Sequence, residues 1–337
     1  MGVRKHTRAM PDYGSALQFG LSVTPETAQI EAISELVQLA DVTGLDLVAI
    51  QDHAYNQTFL DTWTLIAFLA AKTRQIHFMP DVADLPLRPP PMLAKAVATL
   101  DRLTDGRAEL AIGAGAFWDA IAGMGGPRRA PAEAVAATAE ALEILRDAFA
   151  GTGRVVSRGH HYPVPGYHAG PPPAHDIRLW VGAVKPRMLQ LIGRHAGGWV
   201  SPLSIYTPPD EVPRSHAIID AAARGAGRNP SEIRRLYNVV GSIGPRRGGQ
   251  GLHGPVELWI ETLTKWATDL GLDTFVFWPE DATEQQVRLF AEGVVPGVLE
   301  EVNAMRTTMV DDSKLSGRLA ERKSVRFSRA ATLHHRI

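Results

Sequence analysis

The sequence predicts an α/β fold, a (β/α)8 or TIM barrel with an insertion between the fourth helix and the fifth strand. Short apolar runs, typical of buried parallel strands, alternate with amphipathic helices in eight pairs. Eight pairs close a barrel, and a core of about 290 residues suits one. An open doubly wound sheet is the alternative, but it should carry a glycine cluster in its first turn. The first turn here, residues 22–25, reads SVTP and has no glycine.

The predicted strands are runs of four to eight mainly apolar residues that end at Gly, Pro, Asp or Ser. The second of them, LDLVAI, is typical, because it is apolar almost throughout and is followed directly by Gln51, Asp52 and His53. The strands are predicted at residues 17–23, 45–50, 76–82, 108–112, 177–182, 198–201, 236–243 and 274–278.

The predicted helices follow the strands and show apolar residues at spacings of three and four. The first opens at Pro25 and Glu26 and ends at Gly44, which are typical start and stop residues. The other helices are predicted at residues 62–72, 92–103, 131–150, from 186 onward, 214–225, 256–270 and 284–305. Residues 151–176 are irregular and rich in proline, and they form the predicted insertion.

The composition fits a globular protein, with 337 residues of which 45% are hydrophobic and 21% charged. A net charge of -1 argues against a general nucleic-acid binder. No apolar run approaches the ~18 residues of a membrane span, and the N-terminal segment lacks the apolar region of a secretory signal. We therefore expect a cytoplasmic protein that binds no membrane. Frequent Arg, Ala, Gly and Pro with few Lys suggest a bacterial, GC-rich genome.

Active sites of such barrels lie at the carboxyl ends of the strands, so candidate residues are sought there. His53 follows the second strand and is placed for acid–base or hydrogen-bond chemistry. The structural alternative is a histidine packed under a loop, with Asp52 capping the next turn. Asp81 and Val82 end the third strand, where a polar residue followed by valine suits contact with a planar ring.

The fourth strand runs into the sequence LAIGAG, in which Ala114 lies between Gly113 and Gly115. Glycines at this spacing let a backbone pass close to a flat or charged ligand, although an isolated pair of this kind more often marks a tight turn. Three aromatic residues near strand ends are predicted to line a substrate pocket; they are Phe19, Trp118 and Trp278. Trp180 and Trp199 are predicted to lie in the core.

An anion site is predicted at the start of the fifth helix, where Pro186 stands between Lys185 and Arg187. Free backbone N–H groups at a helix start, with cations beside them, suit a cofactor phosphate. Gly182 and Ala183 precede this start, and Ser201 adds a hydroxyl from the sixth strand. The alternative is an ordinary helix start with two solvated cations.

Metal chemistry and the common phosphate motifs are not indicated. The chain has no cysteine, which excludes disulfides and thiolate nucleophiles. No HExxH, Walker A, GxSxG or dinucleotide GxGxxG motif is present. Three histidines of the insertion match no zinc spacing and are predicted to be polar loop residues; they are His160, His161 and His168. The residues alone indicate a barrel enzyme with a phosphate-bearing ligand.

From residue 19 to residue 296, the chain resembles the bacterial luciferase-like monooxygenase family. The resemblance rests on three blocks: GLDLVAIQDH, LPLRPPPMLAKAVATLDRLTDGRAELAIGAGAFWDAI and WVGAVKPRMLQLIGRHAGGWVSP. The second block is long and specific. The third looks most like the branch that uses the deazaflavin coenzyme F-420 in place of FMN. The family fold is a TIM barrel with an insertion, as the residues predict.

The resemblance implies roles for individual residues. His53 would lie near the reactive face of the flavin or deazaflavin. Asp81 and Val82 would lie behind the ring, where this branch often has a cis peptide bond and a bulge. The remaining cofactor contacts would come from the glycine-rich loop and the phosphate site, namely Ala114, Gly115, Gly182, Ala183 and Lys185.

The implied function is hydride transfer between F-420 and a small organic substrate. An FMNH2-dependent two-component monooxygenase that incorporates molecular oxygen is the first alternative, and a non-catalytic flavin-binding barrel the second. The glucose-6-phosphate dehydrogenase branch has Trp and Glu where this chain has Gln57 and Ala116, so sugar-phosphate oxidation is not expected. The missing Glu leaves no second proton donor to name.

Beyond the barrel, we expect a homodimer and a separate flavin or F-420 reductase as partner. Residues 1–16 form an N-terminal tail and residues 17–305 the barrel domain. Residues 306–337 are basic and poor in apolar residues, so they are predicted to be disordered and dispensable, with room for one short helix.

Overall fold

Parallel strands form a ring at the centre of the computed structural model, which describes residues 12–246 and 248–308. Every strand except β10 has six residues or fewer. In chain order they are β1 (Gln18–Val23), β2 (Leu47–Ile50), β3 (His77–Pro80), β4 (Ala83–Asp84), β5 (Leu110–Gly113), β6 (Arg154–Ser157), β7 (Val164–His168), β8 (Leu179–Gly182), β9 (Gly198–Leu203), β10 (Arg234–Ile243), β11 (Leu252–Gly254) and β12 (Thr274–Pro279).

The strand order is β3-β2-β1-β12-β10-β9-β8-β5-β4, with parallel pairing throughout. The ring closes between Phe78 of β3 and Ala108, the residue two positions before β5. The backbone N–H of Phe78 donates to Arg107, and Glu109 donates back to Phe78. β3 and β4 are two parts of the third barrel strand, which is interrupted at Asp81. This closure confirms the predicted (β/α)8 barrel.

Alternate residues of each strand enter two different cores, as the two-residue period of a strand requires. Along β2, Leu47 and Ala49 face the barrel interior, whereas Val48 and Ile50 face the surrounding helices. The interior group contains Leu47, Ala49, Met79, Ala111, Trp180, Val200, Leu236 and Val276. The barrel is therefore a packed body, and ligands must enter from its ends.

The helices surround the barrel and begin or end at residues that suit their termini. α5 starts with Pro131 and ends before Gly151, whose φ of 62° closes the helix in the left-handed region. The helices are α1 (Ile30–Val42), α2 (Thr62–Ala70), α3 (Pro90–Leu103), α4 (Trp118–Gly123), α5 (Pro131–Ala150), α6 (Pro186–His195), α7 (Val212–Gly225), α8 (Val256–Leu270) and α9 (Glu284–Arg288). A π-helical turn, Leu289–Val294, continues α9 into helical residues 295–308.

Several local elements differ from the sequence-based expectation. The sequence did not predict α4, because a helix of six residues is too short to show a helical period. The irregular stretch 151–176 contains the antiparallel hairpin β6–β7, whose apolar residues are few. The third strand ends at Pro80, earlier than expected. The predicted eighth helix is not α-helical throughout, because the π-helical turn interrupts it.

The N-terminal end of the described chain contacts the barrel domain, and its C-terminal end contacts that N-terminal segment. Tyr13 donates a 2.9 Å hydrogen bond to Asp220. The guanidinium of Arg235 lies 3.4 Å from the ring centroid of Tyr13. Arg306 forms two hydrogen bonds with Asp12, at 2.8 and 2.9 Å. The prediction for the basic tail lies, from residue 309 onward, outside the described residues. Within the described ranges, no helix has both the length and the apolar character needed to cross a membrane.

Candidate active site

The carboxyl ends of the barrel strands and the residues that follow them form what we call the barrel mouth. Val82 lies at its centre, between two glycines of neighbouring strands. A Cβ atom added to Gly113 would lie 2.5 Å from a methyl carbon of Val82, and one added to Gly182 would lie 3.3 Å from both methyl carbons. Val82 also packs against the interior core. A Cβ at Gly113 would overlap the valine and one at Gly182 would crowd it, which explains part of the glycine pattern in the sequence.

Asp81 brings an ionisable oxygen to the barrel mouth. Its peptide bond to Val82 is cis, the feature that the resemblance implied. The Oδ2 atom of Asp81 is buried and has no hydrogen-bond partner among the described residues. Burial raises the pKa of this carboxyl to about 7, although a hydrogen bond from Asn238 works against the increase. An unpartnered buried oxygen of this kind is suited to contact a ligand.

Asn238 and Trp278 form the opposite side of the barrel mouth. The indole N–H of Trp278 donates to Oδ1 of Asn238 at 2.8 Å, and the Asn238 amide donates to the Ser201 carbonyl at 2.8 Å. Trp278 is half-buried and packs on the interior core. Its role in a substrate pocket stays a prediction, whereas Asn238 has no local sequence signal.

His53 lies at the end of β2, in the turn where it was expected. Its Nδ1 atom is 2.6 Å from the hydroxyl of Tyr55. The ring centroid of Phe117 is 5.6 Å away in an edge-on arrangement, and that of Phe59 is 6.4 Å away. Burial lowers the pKa of His53, and the charge of Asp52 offsets only part of this effect. The imidazole is therefore neutral at physiological pH.

A buried ion pair holds the loop that carries His53. Arg88 donates two 2.6 Å hydrogen bonds to Asp52 and one of 2.7 Å to Asp61. The Asp52 side chain has no exposed surface, and it also accepts a bond from the backbone N–H of Asp84. The ion pair thus connects β2, β4 and the start of α2. Asp52 therefore supports the loop rather than capping the next turn.

Asp84 is a second buried carboxyl at the barrel mouth. Its Oδ1 atom has no partner within the described residues. Burial and the charge of Asp52 raise its pKa to about 7, while Arg88 opposes the increase. The folded protein therefore keeps a proton at pH values where the unfolded chain has lost it.

We expect Asp84→Asn to stabilise the protein at pH 8 more than at pH 4.5. As pH rises from about 4 through 7, wild-type stability falls because only the folded state still binds this proton. Asparagine does not ionise, so the variant does not show this fall, which amounts to about 1–3 kcal/mol of unfolding free energy. Urea unfolding of both proteins at the two pH values measures the difference. An equal effect at both would mean that Asp84 ionises normally.

The glycine-rich loop after β5 carries Ala114 and Gly115 along the barrel mouth. Gly115 has a φ of 94°, a conformation that residues with a Cβ rarely adopt. An added Cβ would lie 2.8 Å from Pro86 and 3.0 Å from the ring of Trp118. Trp118 is half-buried and covers this loop. The loop and Trp118 therefore form one wall of the barrel mouth, next to Gly113, on which Val82 packs.

The predicted phosphate site lies at the start of α6. The side chains of Lys185 and Arg187 are exposed, and neither makes a hydrogen bond or ion pair with any residue in the described ranges. The carbonyl of Ala183 accepts a 2.9 Å bond from the buried Trp199 indole, which fixes the loop. Gly182 links this loop to Val82. The two cations are thus free to contact an anion at the rim.

Two residues do not fit their predicted roles. The Ser201 hydroxyl is buried and already used, because it accepts from the N–H of Asn238 at 3.1 Å and donates to the carbonyl of Pro202 at 2.9 Å. It stabilises a register shift between β9 and β10. Phe19 is 1% exposed and packs on Phe275 and Phe290 outside the barrel. The strand turns it away from the interior, so it lines no pocket.

The side chains of the three histidines predicted to be loop residues make no hydrogen bond to any residue in the described ranges. The carboxylate of Glu140 accepts backbone hydrogen bonds from His160 and His161, at 3.0 and 2.9 Å. His168 ends β7 and is exposed. Over the part of the chain that the structure describes, no group of three or more His, Cys, Asp or Glu could hold a metal ion.

A polar cavity of about 240 Å³ lies at the opposite end of the barrel. Glu109 lies there 3.5 Å from both His77 and His175. Burial alone would raise the pKa of Glu109, but the hydrogen bonds from the two histidines lower it to about 2. Features at this end of such barrels generally serve stability.

Comparison with known proteins identifies relatives of the chain. The family model described as luciferase-like monooxygenase matches residues 11–247. The 5,10-methylenetetrahydromethanopterin reductase of Archaeoglobus fulgidus is 30% identical over 216 residues, which are 63% of this chain and 60% of that protein. The chain thus matches less than two thirds of that relative's length.

Solved structures share the fold. The F-420-dependent tetrahydromethanopterin reductase of Methanopyrus kandleri superposes with a TM-score of 0.73 at 19% identity, covering 84% of this chain and 99% of that one. A riboflavin lyase with modified FMN and riboflavin gives a TM-score of 0.73 at 16% identity, covering 85% and 92%. One fold therefore serves proteins with a deazaflavin and proteins with FMN.

Proposed function

Because the chain belongs to the luciferase-like monooxygenase family, we propose that it is an oxidoreductase that transfers hydride between the deazaflavin coenzyme F-420 and a small organic substrate. The observation that carries the proposal is the surface around Val82. This valine lies against Gly113 and Gly182, and the adjacent Asp81 offers a buried oxygen without a partner. Such a surface fits one face of a flat, polar-edged ring.

The residues present suit the ring and the phosphate of the cofactor. Asp81 and Val82 would lie behind the ring, and Ala114 and Gly115 would flank it. Gly182 and Ala183 lead from there to the exposed Lys185, which would hold the phosphate. When bound, the cofactor supplies the carbon that donates or accepts hydride. The protein contributes orientation and electrostatics.

His53 is the group on this chain best placed to contact the reacting part of a substrate. Its surroundings are aromatic, because the ring centroids of Tyr55, Phe59 and Phe117 all lie within 6.4 Å of the centroid of the His53 ring. Arg88, the cation bonded to the residue before His53, is already bound to Asp52 and Asp61. We infer that the substrate group beside His53 is neutral. We also propose that a homodimer is the working form and that a separate reductase supplies reduced cofactor.

An anaerobic assay tests the proposed reaction. Reduced F-420 and the protein are mixed with a panel of neutral ketones and imines, and the absorbance of oxidised F-420 is followed. We expect oxidation that depends on both protein and acceptor. Turnover that requires FMNH2 and oxygen instead would establish the monooxygenase alternative. No turnover in either assay would favour the non-catalytic barrel.

We expect Lys185→Ala to weaken binding of F-420 but not of its dephosphorylated form. Loss of one charge-assisted contact should cost about 1.5–3 kcal/mol of binding free energy. Lys265→Ala, which removes an exposed lysine from α8, is the matched control. Equilibrium titration of both variants with both forms gives the comparison. An affinity of Lys185→Ala for F-420 that is unchanged from wild type would place the phosphate elsewhere.

A further inference from the structure

Tyr55 and His53 form a hydrogen-bonded pair at the barrel mouth. They are two residues apart in the turn after β2, and the Tyr55 oxygen lies 2.6 Å from Nδ1 of His53. The second ring nitrogen, Nε2, makes no hydrogen bond to a described residue. Since Nε2 makes no such bond and is not a buried atom, solvent reaches it. The imidazole therefore has one nitrogen occupied by Tyr55 and one open to a ligand.

The protonation states of the pair decide which group donates. Burial, together with the charges of Asp84 and Asp52, raises the pKa of Tyr55 far above neutrality, so the phenol keeps its proton. Burial lowers the pKa of His53, so its ring is neutral. A neutral imidazole carries one proton, on either Nδ1 or Nε2.

The hydrogen-bond inventory favours one of these two tautomers. In residues 12–246 and 248–308, Tyr55 has no other hydrogen-bond acceptor than His53. If the phenol donates to Nδ1, one bond satisfies both groups. If Nδ1 instead donated to the phenol oxygen, the phenolic proton would have no protein acceptor. The first arrangement leaves the proton of His53 on Nε2.

We propose that Tyr55 is a positioning residue that holds His53 in the Nε2–H tautomer, so that the imidazole offers a neutral hydrogen-bond donor to an oxygen of the substrate. A neutral imidazole can polarise a carbonyl group without giving up its proton. Phe117 and Phe59 limit rotation of the ring by packing against it. The substrate part of this proposal rests on the proposed function, but the tautomer does not.

Nitrogen NMR of protein labelled with 15N-histidine tests the tautomer without any cofactor. The His53 signals are assigned by their loss in His53→Gln. In wild type we expect Nε2 to appear protonated and Nδ1 unprotonated. In Tyr55→Phe the tautomer ratio should shift about tenfold toward a mixture, as expected for loss of one hydrogen bond. Tyr206→Phe, which removes a hydroxyl from an exposed tyrosine, should leave the His53 signals unchanged.

The wild-type spectrum decides the question even if Tyr55→Phe proves unstable. A protonated Nδ1 in wild type, or an unchanged ratio in a folded Tyr55→Phe, would overturn the proposal. As a second readout, Tyr55→Phe should lower kcat with reduced F-420 about tenfold and leave KM for the cofactor unchanged. If the NMR result is as expected and no F-420 turnover occurs, the proposed function fails while the role of Tyr55 stands.

Discussion

Replacement of His53 by alanine is expected to lower turnover about 100-fold or more while the fold stays intact. His53 is the one predicted site residue that combines a position at the end of β2, a neutral imidazole and an accessible nitrogen. Its side chain is half-buried and bonded only to Tyr55 within the described residues, so its loss should cost little stability. Steady-state kinetics and a thermal melt of both proteins give the two values.

His53→Gln is the matched control for this prediction. Glutamine cannot transfer a proton, but its amide N–H lies near the position of Nε2. If His53 acts as a hydrogen-bond donor, the glutamine variant should retain more activity than the alanine variant. If His53 acts as an acid or base, both should lose the same amount. Unchanged turnover in His53→Ala would remove this residue from the site.

Arg88→Met should destabilise the protein by about 3–5 kcal/mol, because it leaves the carboxylate of Asp52 buried without its cation. The Asp52 side chain is fully buried, and Arg88 supplies two hydrogen bonds of 2.6 Å to it. The remaining bond, from the N–H of Asp84, cannot neutralise the charge. Urea unfolding at pH 7 measures the loss.

Two further variants separate the buried charge from general damage to the loop. The double variant Asp52→Asn/Arg88→Met has no unpaired charge and should regain much of the lost stability. Arg128→Met breaks an exposed pair with Asp119 and should change stability by less than about 1 kcal/mol. A double variant as unstable as Arg88→Met alone would contradict the assignment to the buried charge.

The alternation of strands and helices could be predicted because it depends on local periodicity. Two helices, Pro131–Ala150 and Val256–Leu270, have the predicted bounds, since proline or glycine marks their ends. The position of His53 and of Val82 at strand ends followed from the barrel itself. Periodicity could not show which face of a strand a residue occupies. Phe19 and Ser201 were assigned to a ligand, but Phe19 points away from the barrel interior and Ser201 bonds within the sheet.

The missed residues contact the site from distant parts of the chain. Arg88 reaches Asp52 across 36 positions, and Asn238 reaches Trp278 across 40. No spacing rule links such pairs, because the fold brings them together only after the barrel has closed. Tyr55 is different: it is two residues from His53, and an aromatic hydroxyl next to a candidate histidine is a signal that local sequence contains.

Equilibrium titration of the purified protein with F-420 and with FMN, followed by fluorescence, tests the central claim most directly. The surface formed by Val82, Gly113 and Gly182, with the exposed Lys185 beyond it, is expected to bind F-420 at least about tenfold more tightly than FMN, a difference of about 1.4 kcal/mol. Tighter binding of FMN, or no binding of either, would contradict the claim that the barrel mouth is a deazaflavin site.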